Sequence, residues 1–234
     1  VVVNGCRGDV QPMIALTRCL VHHHHKVCIL TNTNHVSFCW EHGVDALPAF
    51  ADSQAVMHRM GGLGRSRSEG TTRAGKAASE WLLENPSACV RVDDALSDLK
   101  PQAMICGTLA SGPCINYENR ALVPALPVFL NREMLLQFEW LSRLAPPRPS
   151  FFPVSMVVDG ERMPAMPGLR RTDDWVLEEP CVAPDGTGHG GQFAELQVFL
   201  AAGPAPVAIG WGCTIAKRCP PARMLELALR ALRA

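Results

Sequence analysis

The sequence lacks an excess of charge of either sign: 22 Lys and Arg stand against 22 Asp and Glu, for a net charge of +0. That balance leaves no basic footprint for nucleic acid or for an anionic membrane surface. It also lacks any uninterrupted apolar run of the roughly 18 residues that a membrane-spanning helix needs. Cysteine is sparse for a disulfide scaffold, with 10 in 234 residues, well under the share of about 8–10% seen in such scaffolds. The cysteines are scattered, with no CxxC and no paired Cys/His spacing that would hold zinc. Free thiols in a cytosol-like compartment are therefore expected. No internal repeat of about 20–50 residues is visible. What is present is an ordinary globular composition, 47% hydrophobic and 19% charged, at a length suited to one or two domains.

The chain opens on Val1-Val2-Val3 without a methionine and stops at Ala234 inside a helical pattern. It therefore reads as a fragment of a longer protein, and an N-terminal targeting signal is unreadable here.

Along the chain, short apolar runs alternate with helical patterns. Val1–Val3 reads as a strand that meets the turn Asn4-Gly5-Cys6-Arg7-Gly8-Asp9. A helix should follow, with Asp9 as its N-cap, Pro12 in its first turn, and Met13, Leu16 and Leu20 as its buried stripe. Val27–Leu30 is the second expected strand, His35–His42 a helix stopped by Gly43, and Val44–Leu47 a third strand. Three strands alternating with helices predict a parallel sheet with right-handed crossovers. Residues 61–76 are Gly-rich, polar and basic and read as a mobile loop. Ala77–Leu99 reads as helix interrupted at Asn85-Pro86, where Asn85 would cap a second helix. Ala103–Cys106 and Pro127–Leu130 are further strands, the first followed by the turn Gly107 to Ser111. Residues 146–167 hold six prolines and read as linker. Beyond it, Phe193, Leu196 and Leu200 form a helical stripe ending at Gly203. Val207–Ile209 then reads as strand, Gly210-Trp211-Gly212-Cys213 as a turn, and Met224–Leu232 as helix. The resulting domains are 1–145, a linker over 146–180, and the opening of a second α/β domain over 181–234.

The turn around Gly5, Gly8 and Asp9 is the most informative feature. A dinucleotide fingerprint needs G-x-G-x-x-G and an acid near the end of the second strand. Here the spacing is G-x-x-G-D, and the second strand runs into Thr31-Asn32-Thr33-Asn34 with no acid. A nucleotide-dependent oxidoreductase is accordingly disfavoured. Two readings of Asp9 stay open. It is either only a helix cap, or a carboxylate facing the crevice where open α/β sheets bind ligands.

Gly5-Cys6-Arg7-Gly8-Asp9-Val10-Gln11-Pro12 closely resembles the G-[ST]-R-G-D-V-Q-P opening of family 28 glycosyltransferases, particularly the sterol 3-beta-glucosyltransferase group. The likeness continues through Val27–Gly43, Lys100-Pro101 before Met104–Gly107, and Val123 to Val128. It returns at Phe199-Leu200-Ala201-Ala202-Gly203-Pro204-Ala205-Pro206-Val207 and Gly210-Trp211-Gly212-Cys213. The chain departs from that pattern at Cys6 and Cys213, where the family has small hydroxyl residues, and around 145–172, where a long helical stretch is reduced. The family's His- and Gly-rich donor segment is not found.

The resemblance implies a GT-B architecture: a Rossmann-like acceptor domain, then a Rossmann-like nucleotide-sugar domain of which only the start is present. It implies transfer of a hexose from a UDP-sugar, as co-substrate, to a lipid or sterol-like hydroxyl. No metal and no other cofactor is implied. Asp9 matches the family's candidate general base. Acceptor walls would come from Gly5, Arg7, Gly8, Gln11, Thr31, Asn32, Thr108, Ser111, Asn131 and Arg132, and the donor-phosphate turn from Gly210, Gly212 and Cys213. The alternative is a non-catalytic remnant that binds an apolar ligand. On either reading, this chain by itself is not expected to bind UDP-glucose appreciably.

Three other features have simpler readings. His22–His25 are four consecutive histidines with no Asp, Glu or Cys at ligand spacing, so a solvent-facing turn is preferred to a metal site. Met134, Leu135, Phe138, Trp140 and Leu141 are read as core packing, with an acceptor pocket or lipid contact as the alternative. Arg65, Arg67, Arg73 and Lys76 are read as a solvated basic loop, with phosphate or headgroup contact as the alternative. The expected location is cytoplasmic, with room for peripheral membrane contact; the sequence does not address oligomeric state.

Overall fold

The structure is a computed structural model that describes residues 1–61, 67–130, 149–153, 169–172, 175–177, 198–203 and 221–231. Its contacts divide the chain into two units, Val1–Gly61 with Ser66–Leu177, and Gly62–Arg65 with Glu178–Ala234.

In the first unit, the apolar strands around the N-terminal segment are covered on both faces by helices. The strands are β1 (Ile29–Asn32), β2 (Ala46–Phe50), β3 (Met104–Gly107), β4 (Ala125–Val128), β5 (Ser150–Pro153) and β6 (Leu169–Thr172). All their pairings are parallel: β1 with β2, and β3 through β6 in sequence order. The N-terminal segment joins the two groups, because Val2 bridges Leu30 on one side and Cys106 on the other. Val3 N–H donates to the Leu30 carbonyl (2.9 Å), and Val2 N–H donates to the Ile105 carbonyl (2.8 Å). The lateral order is thus β2, β1, the Val2 segment, β3, β4, β5, β6: a Rossmann-like α/β sheet, as expected. Successive runs build outward on one side of Val2, then on the other. The order reverses between the Val2 segment and β3, and an α/β sheet opens its ligand crevice at the carboxyl ends of the strands at such a point.

Alternation along the strands separates two cores. Val3 and Ile29 face a cluster with Val10, Met13 and Ile14 of α1 (Arg7–His22) and with Val36 and Cys39 of α2 (Val36–Glu41). Their neighbours Val2 and Leu30 face the opposite cluster, with Ala95 and Leu96 of α5 (Val92–Leu99) and Cys114 and Tyr117 of α6 (Ser111–Ala121). Each such Val, Ile, Leu or Met contributes about 1.5–3 kcal/mol by leaving water.

Several local expectations are corrected. The N-cap of α1 is Cys6, and Asp9 stands at the third helical position, reaching back to the cap. Pro12 consequently lies inside the helix, in its second turn. Part of the stretch expected to be a loop over 61–76 is helical: α4 spans Arg67–Glu84 and packs beside α3 (Ser53–Met60). The bidentate Arg59–Glu84 pair and the Arg73 bond to the Met60 carbonyl join them. Asn85 does not start a helix; its side-chain amide donates to the Trp81 carbonyl (2.9 Å) and closes α4, while α5 begins at Val92 behind Arg91. Within the stretch read as linker, β5 and β6 pair from Ser150 with Leu169 to Pro153 with Thr172. Pro153 stands at the last residue of β5.

Of the second unit, residues 198–201 are helical and α7 spans Pro221–Ala231. Val207–Ile209, the turn Gly210–Cys213, the apolar stretch from Met134, and Arg65 lie outside the described residues. Among the described residues no helix is long and apolar enough to cross a membrane, and no cluster could hold a metal ion. Among the described residues, Cys6, Cys19, Cys28, Cys39, Cys89, Cys106 and Cys114 form no disulfide. Burial, with a smaller contribution from Cys28, pushes the Cys39 thiol up to about 12, so it is not a nucleophile at neutral pH.

Candidate functional site

The reversal point is lined by the turns that follow the strands. After the Val2 segment the chain turns at Asn4–Cys6 and enters α1. Gly5 has φ +150°, a conformation costly for any residue with a side chain. Close approach makes the requirement stricter. A Cβ on Gly5 would lie 2.2 Å from Asp9 Oδ2 and 2.6 Å from its Cγ. The Asp9 carboxylate therefore rests directly on the bare Gly5 backbone. Its Oδ2 accepts the Cys6 N–H at 2.9 Å, satisfying one of the orphan donors of the helix start.

This arrangement has an electrostatic consequence. In a dinucleotide site the first helix offers its N-terminal N–H groups to a diphosphate. Here a carboxylate of the chain itself occupies that position, so a phosphate would meet like charge. Burial raises the pKa of Asp9 above the usual aspartate value, against the smaller opposing effect of the Cys6 N–H bond. A half-buried carboxylate with raised pKa in the first turn of α1 is a better proton acceptor than a solvated one.

Asn32, at the end of β1, ties the turn down. Its Oδ1 accepts the Gly5 N–H (2.9 Å), while Nδ2 donates to Asn4 Oδ1 (2.9 Å) and to the Ala51 carbonyl (2.7 Å). At 3% exposure its amide is fully committed to joining three strand ends. Thr31 is 0% exposed and lies in the core, with no partner for its hydroxyl among the described residues. The structure thus makes Asn32 a support of the turn and places Thr31 beneath it.

The other sequence-predicted residues divide clearly. Arg7 is exposed, with its guanidinium 4.5 Å over the Phe38 ring and its Nε 3.3 Å from Gln11 Oε1. Gly8 is exposed at the second position of α1, and an added Cβ would meet nothing within 4 Å. Only Gly5, of the two turn glycines, is sterically required. Thr108 Oγ1 donates to the Val128 carbonyl (3.3 Å), and Ser111 Oγ donates to the Thr108 carbonyl (2.7 Å). Both hydroxyls brace the turn after β3, directly beside the Val2 segment. Asn131, Arg132, Gly210, Gly212 and Cys213 lie outside the described residues.

One residue of the site was missed by sequence reasoning. His35 closes the short 3-10 turn after β1 and is 7% exposed. Its Nε2 lies 3.2 Å from Ser53 Oγ and 3.5 Å from Asn34 Nδ2. The only sequence signal was its place in the polar run Thr31–His35 at a strand end, which a helix reading of 35–42 absorbed.

Fold and site together define an α/β protein with a Rossmann-like parallel sheet whose reversal point carries a backbone-supported carboxylate. No known protein-family profile matches the chain. A sterol 3-beta-glucosyltransferase of Arabidopsis thaliana is 34% identical over 119 residues, or 48% of this chain and 19% of that protein. The chain thus spans about a fifth of that relative's length. Among solved structures, SsfS6, a glycosyltransferase of Streptomyces sp. SF2575, aligns at 14% identity and a TM-score of 0.47, covering 73% of this chain and 52% of that one. Its complex with thymidine diphosphate aligns at 16% identity and a TM-score of 0.45, covering 73% and 51%.

Proposed function

We propose that the first unit is the acceptor-binding domain of a GT-B glycosyltransferase that moves a hexose from a UDP-sugar to a lipid or sterol-like hydroxyl, with Asp9 as general base. The observation that carries this reading is the Asp9 carboxylate at the reversal point, seated on Gly5 with a raised proton affinity. Sequence similarity to part of a sterol 3-beta-glucosyltransferase supports the choice of chemistry. An acceptor hydroxyl attacking an anomeric carbon must lose its proton, and a carboxylate fixed in the first turn of a helix can take it. The self-capped α1 leaves the diphosphate of the donor to be held elsewhere, and Gly210, Gly212 and Cys213 are our candidates for its first turn. Arg7 and Gly8 are exposed at the α1 start, with Gln11 half-buried one turn on, and there an acceptor can approach Asp9. Metal is not required, because backbone amides and helix N-termini can stabilise a departing diphosphate.

The test is transfer from radiolabelled UDP-glucose to a sterol in detergent micelles by a complete enzyme, in which this chain is joined to a whole nucleotide-sugar domain, with the labelled product separated by chromatography. A labelled sterol glucoside, absent when the sterol is omitted, is the expected product. Sterol binding without any transfer would instead make the protein a non-catalytic binder.

A further inference from the structure

We propose that Asn32 is a positioning residue for Asp9: its buried side-chain amide fixes the Gly5 peptide against which the carboxylate lies, and so sets where the acceptor proton is taken. The proposal rests on the reading of Asp9 as the base and adds to it a residue from a different strand. Three observations converge. The first is the orientation of the amide. Its Nδ2 donates to two acceptors, Asn4 Oδ1 at 2.9 Å and the Ala51 carbonyl at 2.7 Å. Turned over, the amide would set Oδ1 against those two oxygens and Nδ2 against the Gly5 N–H, so only one orientation is satisfied. Oδ1 therefore points at Gly5, whose N–H donates to it at 2.9 Å. At 3% exposure, a lost partner is not replaced by bulk water.

The second observation is that the Ala51 carbonyl belongs to a turn that is itself tied to the end of β1. Two residues on, the Ser53 N–H donates to Asn34 Oδ1 at 2.9 Å. Ser53 Oγ lies 3.1 Å from Asn34 Nδ2 and 3.2 Å from His35 Nε2. The ends of β1 and β2 are thus joined by side chains, and Asn32 carries that joint to the turn that leads into α1. The third observation is the contact between Gly5 and Asp9. A Cβ on Gly5 would stand 2.2 Å from Asp9 Oδ2, the oxygen that accepts the Cys6 N–H at 2.9 Å. A shift of the Gly5 peptide must therefore move the carboxylate or open it to water.

The experiment is a carbon-detected NMR titration of the Asp9 carboxyl in the full chain, wild type against Asn32→Ala and Asn34→Ala. Both substitutions loosen the joined ends of β1 and β2, but only the first releases the Gly5 N–H. Burial holds the wild-type midpoint above 3.8, the ordinary aspartate value. In Asn32→Ala the freed turn lets water reach the carboxylate, and the midpoint should fall by roughly half of that displacement or more. Asn34→Ala should keep the wild-type midpoint even where its melting temperature falls. An Asn32→Ala midpoint that stays or rises overturns the proposal. An equal fall in both variants overturns it too, because Asn32 would then be one structural bond among several. Should Asn32→Ala not fold, the wild type is followed alone. Its Gly5 amide proton and Asn32 side-chain amide protons should shift together at the Asp9 midpoint, and signals flat across that midpoint overturn the proposal equally. Sugar transfer is not needed for either readout. A chain that passes, and transfers no sugar when joined to a whole nucleotide-sugar domain, keeps the coupling of Asn32 to Asp9 and loses the function assigned to Asp9.

Discussion

Replacing Gly5 by alanine puts the packing of the site to a quantitative test. The added Cβ would lie 2.2 Å from Asp9 Oδ2, 2.6 Å from Cγ and 2.9 Å from the Asp9 Cβ, all well inside contact distance. Neither side can yield cheaply. The Gly5 N–H is held by Asn32, and Asp9 is fixed at the third position of α1 by the helix itself. The carboxylate must swing away, and the Cys6 N–H loses its partner, which costs about 1 kcal/mol as a lost cap does. Alanine at φ +150° adds strain of about 1–3 kcal/mol. The total is roughly 2–4 kcal/mol, or about 5–15 °C in melting temperature for a domain of this size. Urea unfolding of Gly5→Ala, Asp9→Ala and the double variant separates the contributions. Asp9→Ala removes the clashing group, so the double variant should be more stable than the sum of the single effects predicts, by about 1 kcal/mol or more. Full additivity, or a Gly5→Ala protein within about 0.5 kcal/mol of wild type, would refute the contact between Gly5 and Asp9.

Gly8→Ala should behave in the opposite way: its Cβ meets nothing within 4 Å, and alanine favours helix by up to about 1 kcal/mol, so urea unfolding should show equal or higher stability. Asn32→Asp keeps the shape but turns a donor toward Asn4 Oδ1 and the Ala51 carbonyl into an acceptor. It should cost about 2–5 kcal/mol at neutral pH and recover partly in acid, where a protonated carboxyl can donate again; chemical unfolding at two pH values checks both. Burial holds the folded pKa of Asp9 above the ordinary aspartate value of 3.8. The folded state therefore binds the extra proton, and stability falls as pH rises from 3.8 through the folded value, with a constant penalty above it. Asp9→Asn should remove that part of the pH dependence, measured by subtracting the two stability profiles.

The first strands of the sheet were legible because they are apolar on both faces, a pattern that survives errors of one or two residues at each end, whereas β6, with Arg170 and Arg171 exposed, offers no such pattern. Val2, Ile29, Leu30, Met104 and Cys106 were placed in strands or at their edges by that pattern alone, and all are buried. Asp9 was legible as a singular residue at a strand–helix turn. Its position in the turn was not, since a helix starting at Arg7 and one starting after Asp9 show the same apolar stripe from Val10 onward. The first turn of α1 is polar and exposed at Arg7 and Gly8, so burial gives no cue to where it begins. The α4 helix was hidden by its glycines and basic residues, whose loop-like composition outweighed the helix formers after Arg73. His35 and Ser53 were beyond sequence reasoning for a different reason. They lie 18 residues apart and meet only because parallel β1 and β2 bring their carboxyl ends together. The same register makes Asn32 a buried clamp, where its type and place suggested a ligand contact.

The central claim is that the carboxylate of Asp9 takes the acceptor proton. Its most direct test is the pair of melting temperature and initial rate of sugar transfer from UDP-glucose, measured on one preparation each of wild type and Asp9→Asn in a complete enzyme. Asparagine keeps the size of the side chain and an oxygen for the Cys6 N–H, so stability should change by less than about 1 kcal/mol. The rate should fall by about 10² to 10⁴, as it does when a general base is lost. An Asp9→Asn protein that melts like wild type and transfers sugar at the wild-type rate would leave Asp9 a helix cap and contradict the account.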